Sequence, residues 1–187
     1  MNQGFVGFPM PAAASPTLTK FYSTVITVAS GGSSLSPIAL NLPQTYSWIR
    51  LIAQLRGDNS SASDKFVIRF NNDTGANYDG GAVVTSGSFT GFAGTSTAVA
   101  GPTMPAATAP AGSYALLIFD LFGYTSSSMW KQWIGQNFYQ TAATSGGTLA
   151  SFFGGHWRST TPVSYLAVSG NSSLIDVGST LTLYGAP

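Results

Sequence analysis

Two stretches of this chain carry an apolar residue at every second position, and that period restricts the fold more than any other feature. In "WIRLIAQLR", Ile49, Leu51, Ala53 and Leu55 point one way and Arg50, Gln54 and Arg56 the other. In "KFVIRF", Phe66, Ile68 and Phe70 share one side and Lys65, Val67 and Arg69 the opposite side. A period of two is what a strand with one buried face requires, because successive side chains leave opposite faces of a sheet. Residues 24–28, 83–89, 114–122, 163–168 and 179–184 are further strand candidates. Gly/Ser/Asn/Pro clusters such as "SGGSSLSP", "GDNSSASD" and "SGNSS" separate them. Many short strands with such punctuation predict an all-β fold, a jelly-roll-like antiparallel β-sandwich. One segment, "SSSMWKQWIGQNFYQ", stays open between helix and strand. Trp130, Trp133 or Ile134, and Phe138 have near-helical spacing, while Gly135 and the aromatics weigh against a helix.

Residues 1–17 are Pro/Ala-rich and read as an extended N-terminal arm preceding one domain, 18–187. Residues 91–112, "GFAGTSTAVAGPTMPAATAPAG", are low in complexity and read as a long loop or irregular hairpin. With 187 residues the chain can bury a sizeable core. Charge is scarce: Asp, Glu, Lys and Arg make up 7 % of the chain, against about 25 % in an ordinary soluble domain. Interface cores are depleted in charge and rich in aromatics, so this composition points to a surface covered by other subunits. A Ser/Thr-rich solvated surface is the plainer explanation. A net charge of +1 gives no reason to expect nucleic acid as a partner, and no apolar run is long enough for a transmembrane helix. The first residues lack the basic and apolar regions of a signal peptide. The N-x-[ST] triplets at Asn59, Asn72 and Asn171 read as chance in a Ser/Thr-rich chain.

Catalytic chemistry finds little footing. With no cysteine no thiolate is available, and with a single histidine, His156, a zinc or transition-metal site is not expected. No G-x-S-x-G elbow, P-loop or dinucleotide fingerprint is present, and the six acids, all Asp, show no paired spacing. His156 therefore reads as a packed or turn residue, and the expectation is a protein without enzymatic activity, cofactor or metal. The stretch "RFNNDTGANYDGG" has alternating Asn and Asp, yet it fails the EF-hand pattern at the fifth, sixth and twelfth positions counted from Asn71. A looser calcium site on Asp73 and Asp79 is the sharper reading. The structural one is a turn in which Asn71, Asp73 and Asn77 make local bonds, Gly75 supplies a positive φ, and Tyr78 covers the core edge.

Those residues also carry a likeness. "LRGDNSSASDKFVIRFNNDTGANYD", "GYTSSSMWKQW", "GGHWRSTTPVSYLAV" and "GSTLTLYGAP" resemble segments of a family of tailed-bacteriophage virion proteins, small β-rich capsid or tail components. The likeness runs over about residues 46–185 and matches poorly across 91–112. Many relatives have Gly where this chain has Asn72, a replacement that keeps access to the left-handed region. The resemblance brings no catalytic residues, and it carries Asn71, Asp73, Gly75, Asn77 and Tyr78 over as fold-forming.

What the resemblance implies is a capsid decoration (cement) protein. It would form a homotrimer bound to the major capsid protein on the outer surface of the virion, made in the host cytoplasm. Phe5, Phe8 and Met10 are the expected arm anchors in a neighbour's pockets. Arg50, Arg56, Lys65 and Arg69 are expected as one basic patch, on the premise that their two strands pair through "GDNSSASD". A solvated strand face is the alternative. A tail or baseplate component is a second reading. A carbohydrate-binding host-attachment module is a third, with Trp130, Trp133 and Trp157 as stacking candidates.

Overall fold

The computed structural model describes residues 17–27, 37–85, 89–99, 102–142 and 147–187. Among them lie twelve strands: β1 Thr19–Val25, β2 Ile38–Asn41, β3 Trp48–Leu55, β4 Ser63–Phe70, β5 Tyr78–Val84, β6 Phe89–Ser96, β7 Thr103–Pro105, β8 Ala115–Phe122, β9 Lys131–Gln140, β10 Thr148–Trp157, β11 Tyr165–Gly170 and β12 Thr180–Ala186. They form two antiparallel sheets packed as a jelly-roll-like sandwich. The larger has the order β1-β12-β3-β8-β9-β10-β5-β6, and the smaller β2-β11-β4-β7.

The alternation in β3 matches the burial: Ile49, Leu51, Ala53 and Leu55 are fully buried. They meet Phe66, Ile68 and Phe70 of β4 in a single core between the sheets. Aromatic rings concentrate at one end, where Phe70 packs edge-on against Trp133 and Trp157 at centroid distances of 5.6 and 5.7 Å. Such contacts add about 0.5–1.5 kcal/mol per pair beyond area burial.

One segment that the sequence leaves open is decided, and two others differ from the sequence expectation. Residues 131–140 are strand, with Trp133, Gly135 and Asn137 inward and Ile134 and Phe138 outward. Gly135 decides this register, since a Cβ there would lie 2.3 Å from the Phe153 ring. Residues 91–112 are not wholly loop: they contain part of β6 and all of β7. Val99 N–H donates to the Ile68 carbonyl and Phe66 N–H to Pro102, so this segment continues the β7 pairing along β4. Val67 and Arg69, expected to face outward, are buried on the second side of β4.

The expected hairpin of β3 with β4 does not form. After Leu55 the chain leaves the large sheet, bridges Gly57 to Ile175, and enters the small sheet. The turn at 71–77 carries it back from β4 to β5.

Candidate functional site: the outer face of the large sheet

Register places on one face the residues that cross-strand pairing sets side by side. Ile52, Ile118, Gln136, Phe152 and Val83 form one row across β3, β8, β9, β10 and β5. Beside it run Gln54, Leu116, Phe138 and Ala150, and on the other side Arg50, Asp120, Ile134, Gly154 and Gly81. This is the face turned away from the core, yet Ile134 and Phe152 are 56 % and 57 % exposed, and Val83, Leu116 and Phe138 are exposed too. Phe138 and Phe152 meet edge to face at 6.4 Å. Ile134, Phe152 and Val83 rim an open depression of about 510 Å³ whose floor includes Gly81 and Gly154. Contiguous apolar patches of this kind on a polar-rimmed surface mark interaction sites.

A second feature closes one end of the face. The row Trp48, Phe122, Gln132, His156 and Asp79 lies there, with the 123–130 loop beside it. Trp130 is half exposed and stacks on His156 at 5.2 Å and 16°. His156 Nε2 is 2.9 Å from Asp79 Oδ2, and Arg158 Nε lies 3.3 Å from the same oxygen. Arg158 also donates to the Ala76 carbonyl at 2.6 Å. Below, the fully buried Lys131 ammonium donates to the carbonyls of Ser126, Met129 and Thr160 at 2.5, 2.8 and 3.1 Å. Burial pulls its pKa down, and the three carbonyls fasten the loop to β9. Phe122, Gly123, Met129, Trp130 and Gln132 line an open hollow of about 390 Å³.

The "FNNDTGANY" residues come together as a turn. Asn71 and Asn72 take φ of 52° and 54°, the left-handed region Asn tolerates. Asn71 Oδ1 accepts from Ser164 N–H at 2.8 Å, and its amide donates to the Pro162 carbonyl at 2.9 Å. Asp73 accepts from Gly75 N–H (2.8 Å), the Asn77 amide (2.8 Å) and the Trp157 indole (2.6 Å). Burial pushes the Asp73 pKa up, but these hydrogen bonds outweigh it and hold the carboxyl below its ordinary value. Gly75 is needed for a different reason than expected. It has no positive φ; a Cβ there would press on Asn77 at 2.7 Å and Asp73 at 3.0 Å. The Tyr78 hydroxyl accepts from Phe70 N–H at 2.9 Å and donates to the Asp73 carbonyl at 3.3 Å. Burial raises its pKa well above the tyrosine norm. Hydrogen-bond donors and cations face the carboxylates of Asp73 and Asp79, the opposite of a cation site. Among the described residues no group of three His, Cys, Asp or Glu could hold a metal.

The four expected patch cations are not brought together, because their strands belong to opposite sheets. Arg50 makes a bidentate pair with Asp120 at 2.7 and 2.8 Å and lies over Trp48; its hydrogen bond with Asp120 raises its pKa further. Arg56 turns inward, where its guanidinium donates to the carbonyls of Ala109, Pro110 and Ser113 at 3.1, 3.0 and 2.9 Å. The buried Arg69 donates to the Thr97 carbonyl at 3.0 Å, and Lys65 alone of the four is exposed. Of the three sugar-stacking candidates, Trp133 and Trp157 are core residues and Trp130 is exposed. Phe5, Phe8 and Met10 lie outside the described residues.

Sequence reading misses the apolar outer face, although its signal is present. "ALLIFDLF" is apolar at both parities, which a strand with one solvated face does not need. No protein-family model matches the chain, and neither curated proteins nor solved structures give a match.

Proposed function

We propose that this chain is a non-enzymatic structural subunit, a capsid decoration protein that packs its large sheet against neighbouring subunits of a virion shell. The observation that carries the assembly reading is the exposed apolar face of Leu116, Ile134, Phe138, Phe152 and Val83. The four motif stretches across about 46–185 supply the virion context. A ligand that binds only the assembled shell stabilises that shell by mass action, which is the physical role of a cement protein. The test is light scattering on the purified chain, then addition to expanded capsids lacking it. A discrete trimer that binds and raises their disruption temperature supports the proposal. A monomer that leaves capsids unchanged overturns it.

One observation favours a second reading, attachment to glycans. Trp130 is an exposed indole held in a fixed orientation by His156, and a flat aromatic suits stacking on a sugar ring. A glycan array with Trp130→Ala as control decides between the two.

A further inference from the structure

We propose that the Phe122–Met129–Trp130 hollow is the docking site of this chain's own N-terminal segment, with Phe8-Pro9-Met10-Pro11 seated in it. The proposal is independent of the capsid assignment.

Three observations converge on this occupant. The first is position. Thr19 pairs with Gly185, Gly185 with Ile49, and Ile49 with Leu121. Leu18 therefore enters β1 at the end of the sheet where Ala186, Trp48, Phe122 and Gln132 are paired in a row. The segment before β1 is delivered at the same end as the hollow.

The second is reach. From β1 the order runs β12, β3, β8, β9, so Phe122 and Gln132 lie three and four strands away. At about 4.8 Å per strand that is roughly 14–19 Å. Met10 precedes Leu18 by eight residues, which in polyproline geometry, about 3.1 Å per residue, cover roughly 25 Å.

The third is chemistry. Residues 1–19 contain no charged side chain, and Pro9, Pro11 and Pro16 favour an extended, hydrogen-bond-free conformation. Grooves lined by aromatic side chains bind such segments because little ordering entropy is lost. Here the lining is Phe122, Met129 and Trp130, all exposed, with Gln132 beside them as a hydrogen-bonding group. The lining is also held ready: Lys131 fixes the loop from below, and His156 fixes the indole from one side.

The test uses the full chain with a photo-crosslinking phenylalanine analogue at Phe8. Mass spectrometry after irradiation of mixed light and heavy isotope-labelled protein reads both site and source. Crosslinks within one copy to residues 122–132 are expected. Crosslinks between light and heavy copies would assign the hollow to a second copy's segment and overturn the proposal, as would crosslinks elsewhere or none. Chymotrypsin gives a second reading, at the Phe5–Val6 bond, the Phe8–Pro9 bond being resistant to it. Trp130→Ala, an exposed change that leaves the core intact, is expected to raise cleavage there about tenfold. An unchanged rate overturns the proposal. Oligomeric state, read separately, bears on the assembly role and not on this one.

Discussion

Asp73 and Trp157 share a single hydrogen bond, indole Nε1 to carboxylate Oδ2 at 2.6 Å, that ties the β4–β5 turn to the end of β10. The same carboxylate holds Gly75 and Asn77, so one side chain organises the turn and anchors it to the aromatic end of the core. Asp73→Ala leaves the buried indole without its acceptor and frees the turn. The expected loss is about 2–3 kcal/mol in urea unfolding, with Asp73→Asn milder.

Acid should reach the same link. Because the Asp73 carboxyl sits below its ordinary pKa in the folded state, its contribution is fully present above the unfolded value near 3.9 and is lost as pH falls through the lowered folded value. Wild-type stability should therefore decline below about pH 4 more steeply than that of Asp73→Asn. Parallel acid limbs in the two proteins would remove Asp73 from the account.

Arg56 offers a test in which charge matters less than shape. Its planar fork reaches several carbonyls of the 107–113 loop at once, and lysine presents no such fork. Arg56→Lys and Arg56→Met should both lose about 2–4 kcal/mol. Protease cleavage should appear first within 107–113. Full stability in Arg56→Lys would show that charge alone suffices.

Gly155 and Gly112 should respond oppositely to what their φ values suggest. Gly112 has φ of +76° but open space around it, so Gly112→Ala should cost about 1 kcal/mol of backbone strain. Gly155 carries no positive φ, yet an added Cβ would lie 2.0 Å from the Asp79 carbonyl of β5. Gly155→Ala should force β5 and β10 apart and cost more than about 3 kcal/mol, visible as a lost or strongly lowered melting transition.

The apolar outer face makes the reverse prediction. Phe152→Thr and Ile134→Thr strip apolar surface from the outer face and keep strand propensity, so each should cost no more than about 1.5 kcal/mol. Their effect belongs in association: light scattering should show smaller particles, and capsid binding should fall. Unchanged association would remove the sheet face from the proposed role.

How much of this is legible in the sequence depends on which residues one follows. Ile49 to Leu55 announce their face because alternation is a local property of a strand. Asn71 and Asn72 announce a turn because few other residues adopt that backbone. The pairing of β3 with β4 misleads because a short polar loop between two amphipathic strands suits a hairpin and a sheet-to-sheet crossing equally well. Arg50, Arg56, Lys65 and Arg69 form a group only on that mistaken neighbourhood. The true partner of Arg50 is Asp120, seventy residues later, and nothing local encodes such a pair. Gly135 reads locally as a helix breaker, while the ring of Phe153 that explains it lies on another strand.

The position of β12 has a consequence for how the protein is made. Residues 180–186 sit between β1 and β3, and β11 sits between β2 and β4. Neither sheet can close until these late segments have left the ribosome, so the nascent chain waits with the edges of β1, β2, β3 and β4 unpaired. Distant pairings of this kind fold slowly and expose the chain to aggregation. A synthesis product stopped before Thr180 would keep that open edge permanently, and quality control would meet it as a template for strand addition.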